Sequence, residues 1–316
     1  MDYTVEIARD VTDQPEPLAA LARHCYSDMA VSVEEAGSVW RIRMTPVAPI
    51  AVAYDRDLRS VLGELGIGLD GIMGWHRVDR AGRALWLDSL ASAWALVAWS
   101  HLLADGELVE GGSRPLIVQV GGHGRLKVPP LVCGLDPQSF VGLMDDGPID
   151  LGRPDTVAAA VERGLLGGSS FLAPFLRACP ADIVHITDHG QEQPVRFAVS
   201  ATPWSADPTV SCLALTPGGN GGDESCSYRR LSDSAPLASD HRPVLLHVDL
   251  SWFDQLAERR PGPAVPARSV ADLVEQVAPL AETIACVTVS YAPGLCPSRR
   301  WRALAGELRG ALEPLL

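Results

Sequence analysis

The rhythm of apolar and polar positions changes along the chain. Thr4–Ile7 alternates as a half-buried strand does, and Pro17–Tyr26 carries Leu18, Leu21, Ala22 and Cys25 at helical spacing. Met29–Glu34 and Ser38–Met44 alternate on either side of the Glu35–Gly37 turn and read as two strands. Pro46–Pro49 breaks that pattern, Asp57–Leu65 reads as a helix, and the glycine-rich run Gly63–Gly74 reads as a linker. From about residue 81 the segments lengthen. Ala84–Leu103 is apolar enough for a buried helix. Asp155–Gly164, Ser169–Ala178, Ser269–Ala281 and Ser298–Leu312 follow as helices. Pro115–Val120, Ile183–Ile186, Val244–Val248 and Ala285–Ser290 are short, continuously apolar runs, the pattern of parallel strands covered on both faces. The polar, glycine-rich stretch Thr216–Ser227 reads as a surface loop. Strands alternating with helices predict an α/β protein with a mostly parallel sheet over residues 80–316, preceded by a small α/β domain over residues 1–75.

Composition narrows the function. Of 316 residues, 47% are hydrophobic and 21% charged, which fits a folded chain. A formal net charge of −13 disfavours nucleic acid and anionic membrane as partners and admits a cationic one. Lys127 is the only lysine, which we ascribe to codon bias toward arginine. Seven cysteines without CxxC spacing argue against a zinc ribbon, a redox motif or a disulfide framework. The acidic N-terminus has no apolar core of a signal peptide, and the uncharged stretch Ser89–Ala104 falls short of the roughly 20 residues a spanning helix needs. The expectation is a cytoplasmic protein.

In open α/β sheets, chemistry gathers beyond the carboxyl ends of the strands. Three segments sit there: Gln119-Val-Gly121-Gly-His123-Gly-Arg125 after one strand, His247-Val-Asp249-Leu-Ser251-Trp-Phe-Asp254 after another, and Ser290-Tyr-Ala-Pro293-Gly294-Leu-Cys-Pro297 after a third. With Leu96–Trp99, Leu116–Ile117 and Val161–Leu176, in that chain order, they resemble the peptide arginase family of the manganese ureohydrolase fold. The resemblance implies a three-layer arginase-like domain. It also implies an activity on the guanidinium of arginine in ribosomally made peptides, yielding ornithine and urea at two Mn²⁺ ions.

The residues at the family's metal positions differ. Its first, histidine-bearing motif falls on Asp88–Trp94, which has no histidine; its Asp-x-His-x-Asp falls on Gly121-x-His123-x-Arg125; its Asp-x-Asp falls on Asp249-x-Ser251. Two hard cations need several carboxylates, so the expectation is no metal and no other cofactor. On this resemblance His123 and Asp249 are the catalytic candidates, and Arg125, Lys127, Ser251 and Asp254 the binding ones. Arg125 is expected to pair with Asp249 in the former metal seat, and Asp254 reads alternatively as a helix cap. Residues 1–70 resemble the small D-type subunit of His-Xaa-Ser maturation systems. Together these imply a catalytically degenerate homologue that binds a precursor peptide or a peptide-modifying enzyme, as a homo- or hetero-oligomer. The alternative is an active hydrolase in which His123 is the acid/base and Asp249 holds the guanidinium. A third reading is a purely structural subunit. His185, Asp188 and His189 read as a solvated loop, Trp86, Trp94 and Trp99 as core, and Arg299, Arg300 and Arg302 as a solvated helix face.

Overall fold

The computed structural model describes residues 3–10, 29–46, 55–108, 114–121, 126–129, 131–142, 145–168, 170–187, 193–203, 208–218, 225–232, 237–253, 268–293 and 295–316. The helix expected at Pro17–Tyr26 lies outside them. The first strands are β1 (Tyr3–Ala8), β2 (Met29–Ala36) and β3 (Val39–Pro46), which form a three-stranded antiparallel sheet in the order β1-β3-β2. On one face Arg41 bridges Glu6 and Glu34; on the other, Ile42 and Met44 are fully buried.

The rest follows as α1 (Leu58–Glu64), β4 (His76–Ala81), β5 (Ala84–Ser89), α2 (Ala95–Ala104), β6 (Leu116–Val120), β7 (Leu131–Cys133), β8 (Ser139–Gly142), β9 (Asp145–Asp150), α3 (Pro154–Glu162), α4 (Leu172–Ala178), β10 (Asp182–Thr187), β11 (Val195–Pro203), β12 (Ser211–Pro217), β13 (Ser225–Ser232), β14 (Val244–Asp249), α5 (Val270–Val277), β15 (Ile284–Ser290) and α6 (Ser298–Leu312). Twelve of these strands make one mixed sheet, ordered β4-β5-β15-β14-β6-β10-β13-β11-β12-β7-β8-β9. The run from β5 to β13 is parallel, as the apolar segments predict. β4 joins β5 antiparallel, and β11, β12, β7, β8 and β9 extend the opposite side as an antiparallel wing.

Alternate residues of the parallel strands fall into two apolar clusters. Leu87, Ile117, Ile183, Leu245 and Cys286 share one with α2, α3 and α4; Trp86, Val118, Val184, Leu246 and Val287 share the other with α1, α5 and α6. The sheet therefore carries helices on both sides.

Three expectations need correction. Ala84–Leu103 is not one helix: Ala84–Ser89 is β5, a 3₁₀ turn spans Ser92–Trp94, and α2 begins at Ala95. Every residue of β5 is buried, and an apolar run without alternation does not separate strand from helix. The glycine-rich run is no free linker, because Ile72 is buried with Leu58 and Leu62 and the Met73 carbonyl accepts the Trp94 indole N–H at 2.7 Å. The Thr216–Ser227 loop is shorter than expected, since β12 runs to Pro217 and β13 starts at Ser225.

Local chemistry sets the ends of elements. Ser269 and Asp272 cap α5 reciprocally: each side chain accepts the other's backbone N–H at 3.1 Å. α6 is capped from far away. Asp55 is buried and its Oδ2 accepts the Ser298 N–H at 2.7 Å, while its Oδ1 accepts the Asp57 N–H at 3.1 Å. No helix among the described residues is long and apolar enough to cross a membrane.

Candidate functional site

Cross-strand register brings polar side chains into line near the carboxyl ends of the parallel strands. Thr288 of β15 pairs with His247 of β14, His247 with Gln119 of β6, Gln119 with His185 of β10, and His185 with Arg230 of β13. Residues two apart share a face of a strand. This row therefore stands on the side of α2, α3 and α4, above Cys286, Leu245, Ile117 and Ile183. Two residues further on, the same face presents Ser89, Ser290, Asp249, Gly121 and Thr187.

From Thr288 to His185 the inner row is buried, and the half-buried Arg230 ends it with a charge. His247 has its Nδ1 2.8 Å from the Thr288 hydroxyl and the edge of Phe171 against its ring. Burial, with a smaller contribution from His185, lowers its pKa to about 4, so the imidazole is uncharged at neutral pH. His185 lies between two fixed partners. Its Nε2 is 2.7 Å from the Gly121 carbonyl, which can only accept, so Nε2 carries the proton. Its Nδ1, 2.7 Å from the Tyr228 hydroxyl, then accepts from the phenol. The Arg230 Nε in turn donates to the Tyr228 oxygen at 3.4 Å.

The outer row carries a single carboxylate. Asp249 Oδ1 accepts the Ser251 N–H at 2.8 Å, which caps the 3₁₀ turn Leu250–Trp252 and fixes the carboxylate's orientation. Gly121 stands beside it: a Cβ at 121 would lie 3.1 Å from the Asp249 Cβ, so a side chain there would press on the acid. Ser92 donates to the Ser290 hydroxyl at 3.0 Å, and Ser89 donates to the Ala91 carbonyl at 3.0 Å.

Of the sequence candidates, Asp249 and Ser251 are joined by this local hydrogen bond. Lys127 is half-buried in the segment that follows β6. His123, Arg125 and Asp254 lie outside the described residues, and with them the Arg125–Asp249 pair and the Asp254 cap. One expectation is overturned. His185 is not a solvated loop residue but a buried member of β10; Asp188 and His189 lie outside the described residues. Trp86, Trp94 and Trp99 are fully buried, Trp86 on a strand. Arg299 and Arg302 are exposed. Asp88 lies on the opposite face of β5, beside Trp86 and Tyr291, where burial raises its pKa.

Gln119, His185, His247 and Thr288 were not among the sequence candidates. Their signal is a recurring one: LIVQV, IVHIT, LLHVD and CVTVS each interrupt an apolar run with a polar residue, one place before the strand's end in the first and two places before it in the others.

Chemically, the described residues at this end of the sheet offer a hydrogen-bonding floor and one oriented carboxylate, Asp249. Among the described residues no three of His, Cys, Asp and Glu gather as metal ligands. Among the described residues of this face there is one acid, already holding a backbone N–H, above imidazoles engaged inside the sheet, fewer ligands than a two-manganese centre takes. No protein-family model and no curated protein matches the chain.

Proposed function

We propose that the chain is a catalytically degenerate protein of peptide arginase type that binds an arginine-bearing precursor peptide during its maturation. The observation that supports this reading is Asp249, a carboxylate oriented by Ser251 beside Gly121 above a row of polar side chains. A guanidinium has five N–H donors and no acceptor. Asp249, half-buried at the end of β14, supplies the opposite charge. His247 remains neutral and does not repel the cation. On this reading residues 1–75 meet the peptide-modifying enzyme.

Calorimetric titration with an arginine-bearing peptide and its citrulline counterpart tests the proposal. Citrulline keeps the shape and loses the charge. The arginine peptide is expected to bind at least about tenfold more tightly, and Asp249→Asn to remove most of that difference. Equal affinities would reject the reading. Release of urea from the arginine peptide would replace it with an active hydrolase. The purified protein is expected to carry no stoichiometric manganese, and its melting temperature to be unmoved by Mn²⁺ or a chelator.

A further inference from the structure

Among the described residues β4 is an outermost strand of the twelve-stranded sheet, paired only through β5. Its outer edge can be read from the hairpin. Gly82 and Arg83 form a two-residue loop, with Gly82 at φ +57, so Ala81 and Ala84 are the closing pair and bond to each other. Counting back in twos, Asp79 and Arg77 also bond to β5, whereas the backbone groups of Arg80, Val78 and His76 point outward. Arg80 bears this out: its N–H goes to Asp79 Oδ1 at 2.8 Å and its carbonyl accepts from Arg309 at 3.2 Å. Among the described residues nothing takes the N–H or C=O of Val78, whose side chain is 43% exposed.

Charges on an edge strand ordinarily deter pairing with another chain. Here they select one partner. About a two-fold axis through Val78, antiparallel pairing sets residue 78 against 78, 77 against 79 and 76 against 80. Arg77 and Asp79 share one face of β4, with side chains 66% and 43% exposed. Within its own chain Asp79 holds Arg309 at 2.9 Å and lies 3.6 Å from Arg77; each Arg77 would then also face Asp79 of the other copy, twice over, and the two exposed valines would cover each other on the opposite face. Centring on 77 or 79 would oppose like charges and use backbone groups already bonded to β5, whereas centring on 78 asks Arg80 only to exchange its bonds to the Asp79 and Arg309 side chains for bonds to His76. α6 reaches this edge with Arg309, and one turn earlier it is open. Gly306 is exposed on α6, on the same face as Arg302 and Arg309, and no atom lies within 4 Å of the place its Cβ would take.

We propose that the protein forms a two-fold homodimer in which the β4 strands of two copies pair through Val78, joining their large sheets into one. Sedimentation equilibrium of the full chain tests it, with two variants whose far-UV circular dichroism matches the wild type. Val78→Pro removes an N–H that the single chain does not use, at an edge position where proline is tolerated. Arg77→Glu sets like charges opposite each other at two places. The wild type is expected to sediment as a dimer and Val78→Pro as a monomer. The dimer of Arg77→Glu is expected to be at least about tenfold weaker. A monomeric wild type, or a dimer that survives Val78→Pro, overturns the proposal.

Discussion

His247 shows how one buried side chain sets the acid stability of the fold. Burial first, and His185 second, hold its pKa at about 4 rather than 6.5. The unfolded chain regains the ordinary value. As pH falls below about 6.5 the unfolded state takes up a proton that the folded state refuses, so stability declines until about pH 4 and then levels. A shift of that size corresponds to about 3 kcal/mol. His247→Leu leaves the Thr288 hydroxyl its bond to the Leu246 carbonyl and removes the titrating group. Urea midpoints at about pH 7.5 and about pH 5 are expected to differ less in the variant than in the wild type. An undiminished difference would assign the acid loss to other groups. The same side chain illustrates why the site was half legible. Asp249 stood out because it ends an apolar strand, but His247 is informative only once its register with Gln119 and His185 is known.

Among the elements, the amino ends of the parallel strands are tied by charge. Arg242, just before β14, donates to both oxygens of Asp240 and, at 2.6 Å, to Asp182 at the start of β10. Asp182 also accepts the N–H and hydroxyl of Ser227 in β13. Burial pulls the Asp182 carboxyl up, but the Ser227 hydroxyl and Arg242 together hold it below its usual range; Arg242 does the same for Asp240. Both acids therefore contribute stability at neutral pH that is lost as pH falls through their lowered values. Arg242→Met leaves two half-buried carboxylates facing each other and is expected to cost about 2 kcal/mol by urea denaturation at neutral pH. That loss should shrink in acid. At this scale the sequence was readable where patterns are one-sided. Continuous apolar runs located β6, β10, β14 and β15, and helical spacing located α1, α3, α5 and α6. It was unreadable at β5, buried on both faces, at β13, and in the wing of β7, β8, β9, β11 and β12, whose strands are short or interrupted by polar residues and take their pairing from distant partners.

Over the whole molecule, the segment around residue 55 is bound to the last helix. Asp55→Ala removes the acceptor for the Ser298 N–H and is expected to cost about 1 kcal/mol, the usual worth of an N-cap. Hydrogen exchange should show the loss as faster exchange at Ser298 and in α1, with the amides of β14 and β15 unchanged. If all of these accelerate together, the cap contributes to global rather than local stability. The cap also has a consequence in time. Asp55 and Ser298 are separated by 243 residues, so during synthesis Asp55 leaves the ribosome long before its partner exists. α1 waits for α6 to cover it, and until then Leu58 and Leu62 lack the helix they pack beside. Closing so long a loop comes late and slowly. A nascent chain of this protein therefore shows the apolar face of α1 to the cell until α6 has been made, and that interval is when a chaperone would meet it.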